Sequence, residues 1–313
     1  LMVLLVVAQA SLALATTYDF VVAPDGSGQF KTVQEAINAV PDFRKNTTTI
    51  FIKKGIYKEK LIVPESKNKV TLVGESLLET IITFDDFAQK KNRFDEEMGT
   101  TGSSSVFIFG PDFTAQNLTF ENSAGPVGQA VAVRITADRV AFFNCRFLGF
   151  QDTLYPQGEK SRQYYKNCYI EGTVDFIFGW STAVFDQCEI HCKTKGYVTA
   201  ASTLEETPFG LVFFNCKIGG TAPAGSVYLG RPWRPFAKTA FIECELGEVI
   251  HPEGWHNWNK KDAEQTSTYV EYKNTGAGAA TEKRVTWAKQ LTAEERAAYT
   301  LQNILGDWTL PSF

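Results

Sequence analysis

Short runs of β-forming residues recur along the middle of the chain, and each closes with the same sequence of polar, small and polar positions. The fullest examples are Phe142-Phe143-Asn144-Cys145-Arg146-Phe147, Tyr165-Lys166-Asn167-Cys168-Tyr169-Ile170, Phe185-Asp186-Gln187-Cys188-Glu189-Ile190, Phe214-Asn215-Cys216-Lys217-Ile218 and Phe241-Ile242-Glu243-Cys244-Glu245-Leu246. Ala115-Gln116-Asn117-Leu118-Thr119-Phe120 reads as an earlier, cysteine-free member. The cysteines fall 23, 20, 28 and 28 residues apart. Units of this length, built from short strands with turns between them, predict an all-β right-handed parallel β-helix. Long helical patterns are missing between the strands, which argues against a βα barrel or a doubly wound sheet. The unequal unit lengths put insertions in loops on one side.

A solenoid needs its open ends covered. Thr32-Val33-Gln34-Glu35 is a capping box, and Val33, Ala36, Ile37 and Val40 form one apolar stripe ended by Pro41. This predicts an N-terminal capping helix. Thr292-Ala293-Glu294-Glu295 is a second capping box, predicting a C-terminal helical tail to about Leu305, stopped by Gly306. Residues 1–15 are almost wholly apolar and end in Ala13-Leu14-Ala15, which reads as a signal peptide truncated at its start. The stretch is too short to span a bilayer. The expectation is therefore a secreted, extracellular protein with a single domain over 16–313, since no linker divides the rest. Of two sequons, Asn46-Thr47-Thr48 follows a turn and suits a glycan, whereas Asn117-Leu118-Thr119 sits in a strand unit and suits a buried ladder.

Composition changes this picture little. Hydrophobic residues make up 44% and charged residues 21% of the 313 positions, which is ordinary for a globular chain. A net charge of −4 gives no sign of a nucleic-acid or membrane partner, and a polyanionic substrate would not be held by bulk charge. The only histidines are His191, His251 and His256, which weakens any metal site needing several of them. Five of the six cysteines share one position in their units, so a ladder of small buried side chains accounts for them. One bridge, Cys168–Cys188, is also compatible, because consecutive stacked strands lie about 4.8 Å apart. Nothing suggests an oligomer seam, so a monomer is expected.

The chemistry lies in a second periodicity. Gln129, Asp152 and Asp175 are spaced 23 and 23 apart, and each acid follows its cysteine by seven residues. Such a repeat predicts a column of one amide and two carboxylates. Two acids one coil apart titrate as a pair, leaving one ionised and one protonated. The first can attack a carbonyl and the second can protonate a leaving group. Neutral amides from Gln129 and Gln151 would meet an oxyanion, and Arg231 would orient a carboxylate. An isolated Asp in a solenoid is usually a turn cap. The shared register and the adjacent Gln151 favour function here. A Ser-His-Asp esterase finds no Gly-x-Ser-x-Gly to support it.

Gly55-Ile56-Tyr57-Lys58-Glu59, Gln129-Ala130-Val131-Ala132, Gln151-Asp152-Thr153-Leu154-Tyr155, Asp175-Phe176-Ile177-Phe178-Gly179 and Leu229-Gly230-Arg231-Pro232-Trp233 resemble, in order, the signature blocks of the pectin methylesterases. The resemblance runs from about Asp19 to near the C-terminus. It implies a cleft on the outer face of the solenoid and hydrolysis of C6 methyl esters in methyl-esterified pectin, with no cofactor. It also implies Asp175 as nucleophile, Asp152 as acid then base, Gln129 and Gln151 as oxyanion donors, and Arg231 as the partner of Asp175. Tyr155, Phe178 and Trp233 would line sugar subsites, with Trp180 and Thr100 as weaker candidates. Thr100 reads more readily as a turn hydroxyl, Trp233 as exposed, and Tyr57 and Glu59 as structural. The expectation is of a member without an inhibitor-like pro-region, and the acidic insertion at 85–99 is similar to bacterial-type members, as is the Cys168–Cys188 spacing. The rival expectations are a Ca²⁺-dependent lyase, a glycosidase with the same acid pair, and a non-catalytic pectin-binding solenoid.

Overall fold

In the computed structural model, which describes residues 18–311, short strands stack coil upon coil, and every pairing between its named strands is parallel. An eleven-stranded sheet runs from Phe20–Val22 to Lys289–Gln290, and a second sheet of thirteen strands faces it. In the second sheet two runs of short strands meet on the long strand Tyr169–Gly179. Arg146–Leu148 pairs with its first half and Leu154–Pro156 with its second. The parallel β-helix expected from the repeats is thus present.

The coils repeat their side chains as well as their backbones. Phe142, Tyr165, Phe185, Phe213 and Phe241 are register partners in successive strands, and their rings stack at 5.0, 4.6, 4.5 and 4.4 Å. These spacings match the distance between hydrogen-bonded strands, so each ring meets its copy face to face. The residue before each cysteine turns a corner in the left-handed region: Asn144 (φ 48°), Asn167 (53°), Gln187 (54°), Asn215 (51°) and Glu243 (56°). Asparagine tolerates that region better than most residues, which explains its recurrence. Asn117 turns the same corner at φ 54°, and its side-chain oxygen accepts from Asn144 at 2.6 Å. It is half-buried and laddered, whereas Asn46 is exposed.

The Cys168–Cys188 bridge is not formed; all six cysteines are free and buried. Each ladder thiol instead points along the solenoid axis at a main-chain oxygen of the coil before. Cys145 donates to Ala115, Cys168 to Phe142, Cys188 to Tyr165, Cys216 to Phe185 and Cys244 to Phe213, at 3.3–3.6 Å. The shared position therefore reflects a column of small, weakly donating side chains.

The N-terminal helix is Val33–Ala39, with Val33, Ala36 and Ile37 buried and both halves of the capping box made. The Glu59 carboxylate accepts from the Val33 and Gln34 amides at 2.8 Å each, and the Tyr57 hydroxyl donates to the Lys53 carbonyl at 2.8 Å. Both residues of that sequence block are structural. The C-terminal tail differs from the expectation in two ways. It is two short helices, Ala293–Arg296 and Leu301–Leu305, because the Thr300 hydroxyl caps the second and holds an extended residue between them. Nor does it close the far end. Ile304 and Leu305 pack on the outer face of the eleven-stranded sheet with Tyr164, Val184 and Val212. The far end is covered by residues 279–288, with Trp287 set 5.7 Å from Tyr269. The expected signal peptide over 1–15 lies outside the described residues.

One buried ion pair fastens this end to the coil beneath. Arg284 and Glu271, 5% and 2% exposed, meet at 2.8 and 3.2 Å, and Glu271 also accepts from the Trp255 indole N–H at 3.2 Å. Trp255 in turn bridges to Gly230. Arg284→Met is expected to lower stability by about 3–5 kcal/mol, because it leaves a buried carboxylate without its counter-charge. Urea unfolding at neutral pH measures it.

Candidate functional site

The coils bring Gln129, Gln151, Asp152, Asp175 and Arg231 round one cleft of about 510 Å³ on the outer face of the second sheet. Their stacking differs from a simple column. Gln129 bridges to Gln151, not to Asp152, and the register then slips by one residue so that Val133 pairs with Leu154. The slip comes from one extra residue in the stretch after Gln129, where the Ala132 and Val133 amides share the Thr153 oxygen. The two amides are therefore neighbours. The two acids are also neighbours: the Asp152 amide donates to the Val174 oxygen at 3.1 Å, and Leu154 pairs with Ile177.

Both acids are held in strained backbone. Asp152 lies in the turn before Leu154–Pro156 at φ 64°, and Asp175 sits at φ 52°, where the register with the next coil shifts between Val174 and Ile177. Left-handed residues at a break in pairing re-aim their side chains out of the sheet. Their carboxyl groups are nearly buried, at 7% and 6% exposure.

The surroundings make the two acids unequal. Burial, and then the neighbouring Asp175 charge, hold Asp152 well above the ordinary carboxylate range. No hydrogen bond to its carboxyl group is present among the described residues. Burial also raises Asp175, but Arg231 opposes it through a two-point contact, Nε to Oδ1 at 2.9 Å and Nη2 to Oδ2 at 2.7 Å, and Lys260 adds a weaker pull. Asp175 ionises first and Asp152 keeps the proton, which is the division that acid–base work requires. Gln129 accepts from Gln89 Nε2 at 3.1 Å through its side-chain oxygen, which leaves its own N–H groups free to donate.

The remaining candidates line this cleft in different ways. Thr100 is half-buried in the short helix Gly99–Gly102, and its backbone oxygen takes the Ser103 hydroxyl at 2.6 Å. Tyr155 and Phe178 stack at 4.1 Å but are only 4% and 3% exposed, so they form the floor of the cleft. Trp233, expected to be exposed, is half-buried and leans on both rings and on Trp180.

Three contributors were missed from sequence. Trp258 and Tyr197 sandwich the Arg231 guanidinium at 3.6 and 3.8 Å, and Gln89 comes from the acidic insertion. Trp258 follows Arg231 by 27 residues, close to the 28-residue spacing of the last cysteines, which was the available signal. Gly230 lets this grip form, since a Cβ there would lie 2.1 Å from the Thr199 hydroxyl oxygen.

Comparisons with known proteins bear on the family and the fold. The family described as pectinesterase matches residues 19–307. Pectinesterase 31 of Arabidopsis thaliana is 44% identical over 90% of each chain. A probable pectinesterase/pectinesterase inhibitor of Brassica napus is 41% identical over 93% of this chain, which spans about half (51%) of that relative's length. The solved pectin methylesterase from carrot superposes with a TM-score of 0.86, at 38% identity, covering 92% of this chain and 93% of that one. A pectin methylesterase mutant crystallised with a hexasaccharide superposes at 0.84, with 32% identity, covering 96% of this chain and all (100%) of that one. The relatives named here from identified sources are from plants, so they lend no support to the bacterial-type branch. A match over this much of the sequence and of the fold means that the chain belongs to the pectinesterase family.

Proposed function

We infer that this protein hydrolyses the C6 methyl esters of galacturonosyl units in pectin, releasing methanol. The observation that carries the mechanism is the unequal acid pair, one carboxylate gripped by Arg231 and the other buried without a hydrogen-bond partner and held toward its protonated form, with two side-chain amides in the same cleft. The Asp175 carboxylate attacks the ester carbon. The Gln129 and Gln151 amides donate to the oxyanion that forms. As the tetrahedral species collapses, the ester C–O bond breaks and Asp152 gives its proton to departing methanol. This leaves an anhydride between Asp175 and the uronosyl carboxyl group. The Asp152 carboxylate then takes a proton from water while the oxygen attacks the anhydride. Asp175 leaves as a carboxylate, and the product acid loses its proton to solvent. No cofactor enters any step.

Methyl-esterified homogalacturonan is the proposed polymer, with Tyr155 and Phe178 flooring the cleft, Trp233 half-buried beside them, Trp180 adjoining Trp233 just outside it, and Thr100 on the lining. The apolar stretch at 1–15 supports secretion to the extracellular space, and no helix among the described residues is long and apolar enough to cross a membrane. A monomer and one domain over 16–313 belong to the same proposal.

Asp175→Asn is expected to lower methanol release from highly methylated pectin by at least about a thousandfold, with no uronide-chain cleavage by either protein. Chain cleavage by wild type without methanol would move the protein to the lyases or glycosidases. Pectin binding without any product would make it a binding protein.

The buried acid also has a signature in stability. An Asp152 raised above its unfolded value of about 3.8 binds more protons folded than unfolded, so its contribution is fully present below that pH. The contribution is lost as pH rises toward the folded value. Asp152→Asn tolerates the left-handed backbone and carries no charge. Its melting temperature should match wild type near pH 4 and exceed it by several degrees near pH 7. Calorimetry across that range checks the sign, and a variant melting below wild type at pH 7 would reverse it.

A further inference from the structure

The turn that carries Trp258 is strained. Trp258 and Asn259 both take left-handed backbone angles, φ 56° and 55°, a region that bulky side chains seldom occupy. Two side-chain acceptors hold them there. His256 Nδ1 accepts from the Trp258 amide at 2.9 Å, and Asn257 Oδ1 accepts from the Asn259 amide at 2.9 Å. Asn257 is itself anchored, donating to Glu264 at 2.7 Å. The turn docks on the loop that bears Arg231: the His256 amide donates to the Gly230 oxygen at 3.1 Å, and Lys260 Nζ to the Pro232 and Trp233 oxygens at 3.0 and 2.8 Å. Strain of this kind persists only where its surroundings over-determine it. The result is an indole fixed 3.6 Å from the guanidinium of Arg231, opposite Tyr197. A planar cation held between two rings keeps its fork in one plane, as a two-point contact with Asp175 requires.

The hydrogen bond from the Trp258 amide has a chemical condition. Nδ1 accepts only in the neutral imidazole with its proton on Nε2; a second proton sets N–H against N–H. The ring is flanked by Tyr197 and Tyr228 at 5.7 and 5.3 Å. Arg231, His251 and Glu253 are the other ionisable groups around it, and Lys260 follows on its own turn. Burial first, then the Arg231 cation, keep the imidazole from charging at its ordinary 6.5; Glu253 opposes them and His251 adds to them.

Resting on the mechanism given above, we propose that His256 is a positioning residue. Its neutral imidazole latches Trp258 over Arg231 and so keeps the Arg231 fork aligned with Asp175. Protonation releases the latch and lowers turnover in acid. No sugar needs to touch His256 for this to hold.

The test is methanol release between pH 4 and 8 by wild type, His256→Phe, His256→Asn and Asp175→Asn. His256→Phe keeps a ring but has no acceptor. It should lose about tenfold to a hundredfold in kcat at pH 7, with KM changed by less than about threefold. In His256→Asn the side-chain oxygen stands where Nδ1 stood and does not titrate. That variant should keep kcat at pH 7 and hold it further into acid than wild type does. Unchanged kcat in His256→Phe overturns the latch. So does an acid limb in His256→Asn that matches wild type, or an equal loss in both variants with no change of profile, which is what a merely structural role would give. Asp175→Asn separates this from the mechanism beneath it. Full activity in that variant refutes the nucleophile. An inactive Asp175→Asn beside a His256→Asn that titrates like wild type refutes only the latch.

Discussion

The structure depends on one constraint, the parallel in-register stacking of successive coils. Each strand inside a stack is paired on both sides, so a residue's lateral position is fixed by its partner in the coil before. The aromatic column from Phe142 to Phe241 and the thiol column from Cys145 to Cys244 are the same constraint seen through two residue types. A single aromatic pair contributes about 0.5–1.5 kcal/mol beyond area burial. Its larger effect is on register, since a one-residue slip would set core rings toward solvent. The cleft inherits this rigidity. Asp152 and Asp175 stand side by side because their coils differ by 23 residues and are not free to slide.

The site appears where the constraint is relaxed. Register slips by one residue after Gln129, shifts before Val174 and again across Asp175, and the backbone turns left-handed at both acids. A regular ladder would alternate these side chains into the core or flat against the sheet. The breaks point them into the cleft while the neighbouring rungs hold. Functional strain is offset here by pairing on both sides, much as the strained turn at Trp258 is offset by His256 and Asn257.

Sequence made the repeating parts of the molecule legible and hid the departures from repetition. The N-terminal capping helix follows from its capping box and apolar stripe, and the solenoid and the acid pair follow from spacing, because stacking converts spacing directly into proximity. Gln129 was placed over Asp152 by the same rule, and the rule fails there because one extra residue lies between Gln129 and Val133. The single C-terminal helix was inferred from one capping box, but Thr300 supplies a second cap within it. The Cys168–Cys188 pairing was compatible with strand spacing, yet spacing says nothing about sulfur direction, and the thiols turn to main-chain oxygens. Trp258 carried only a unit-length offset from Arg231. Its role depends on two left-handed residues that no periodicity announces.

The departures around the two acids have an electrostatic consequence. A cleft that buries two carboxylates raises the proton affinity of both, and without a further asymmetry neither would be a ready nucleophile at neutral pH. Arg231 supplies the asymmetry by contacting only Asp175, but a guanidinium on a long side chain is a poor reference point unless its plane is fixed. Tyr197 comes from the coil before and Trp258 from the turn after, so the two faces of the guanidinium are gripped by different rungs of the solenoid. The unequal acids are thus a property of five consecutive coils, those of Asp152, Asp175, Tyr197, Arg231 and Trp258. Within each coil Asp152, Asp175 and Arg231 are ordinary polar residues, and only the stacking gives them different surroundings.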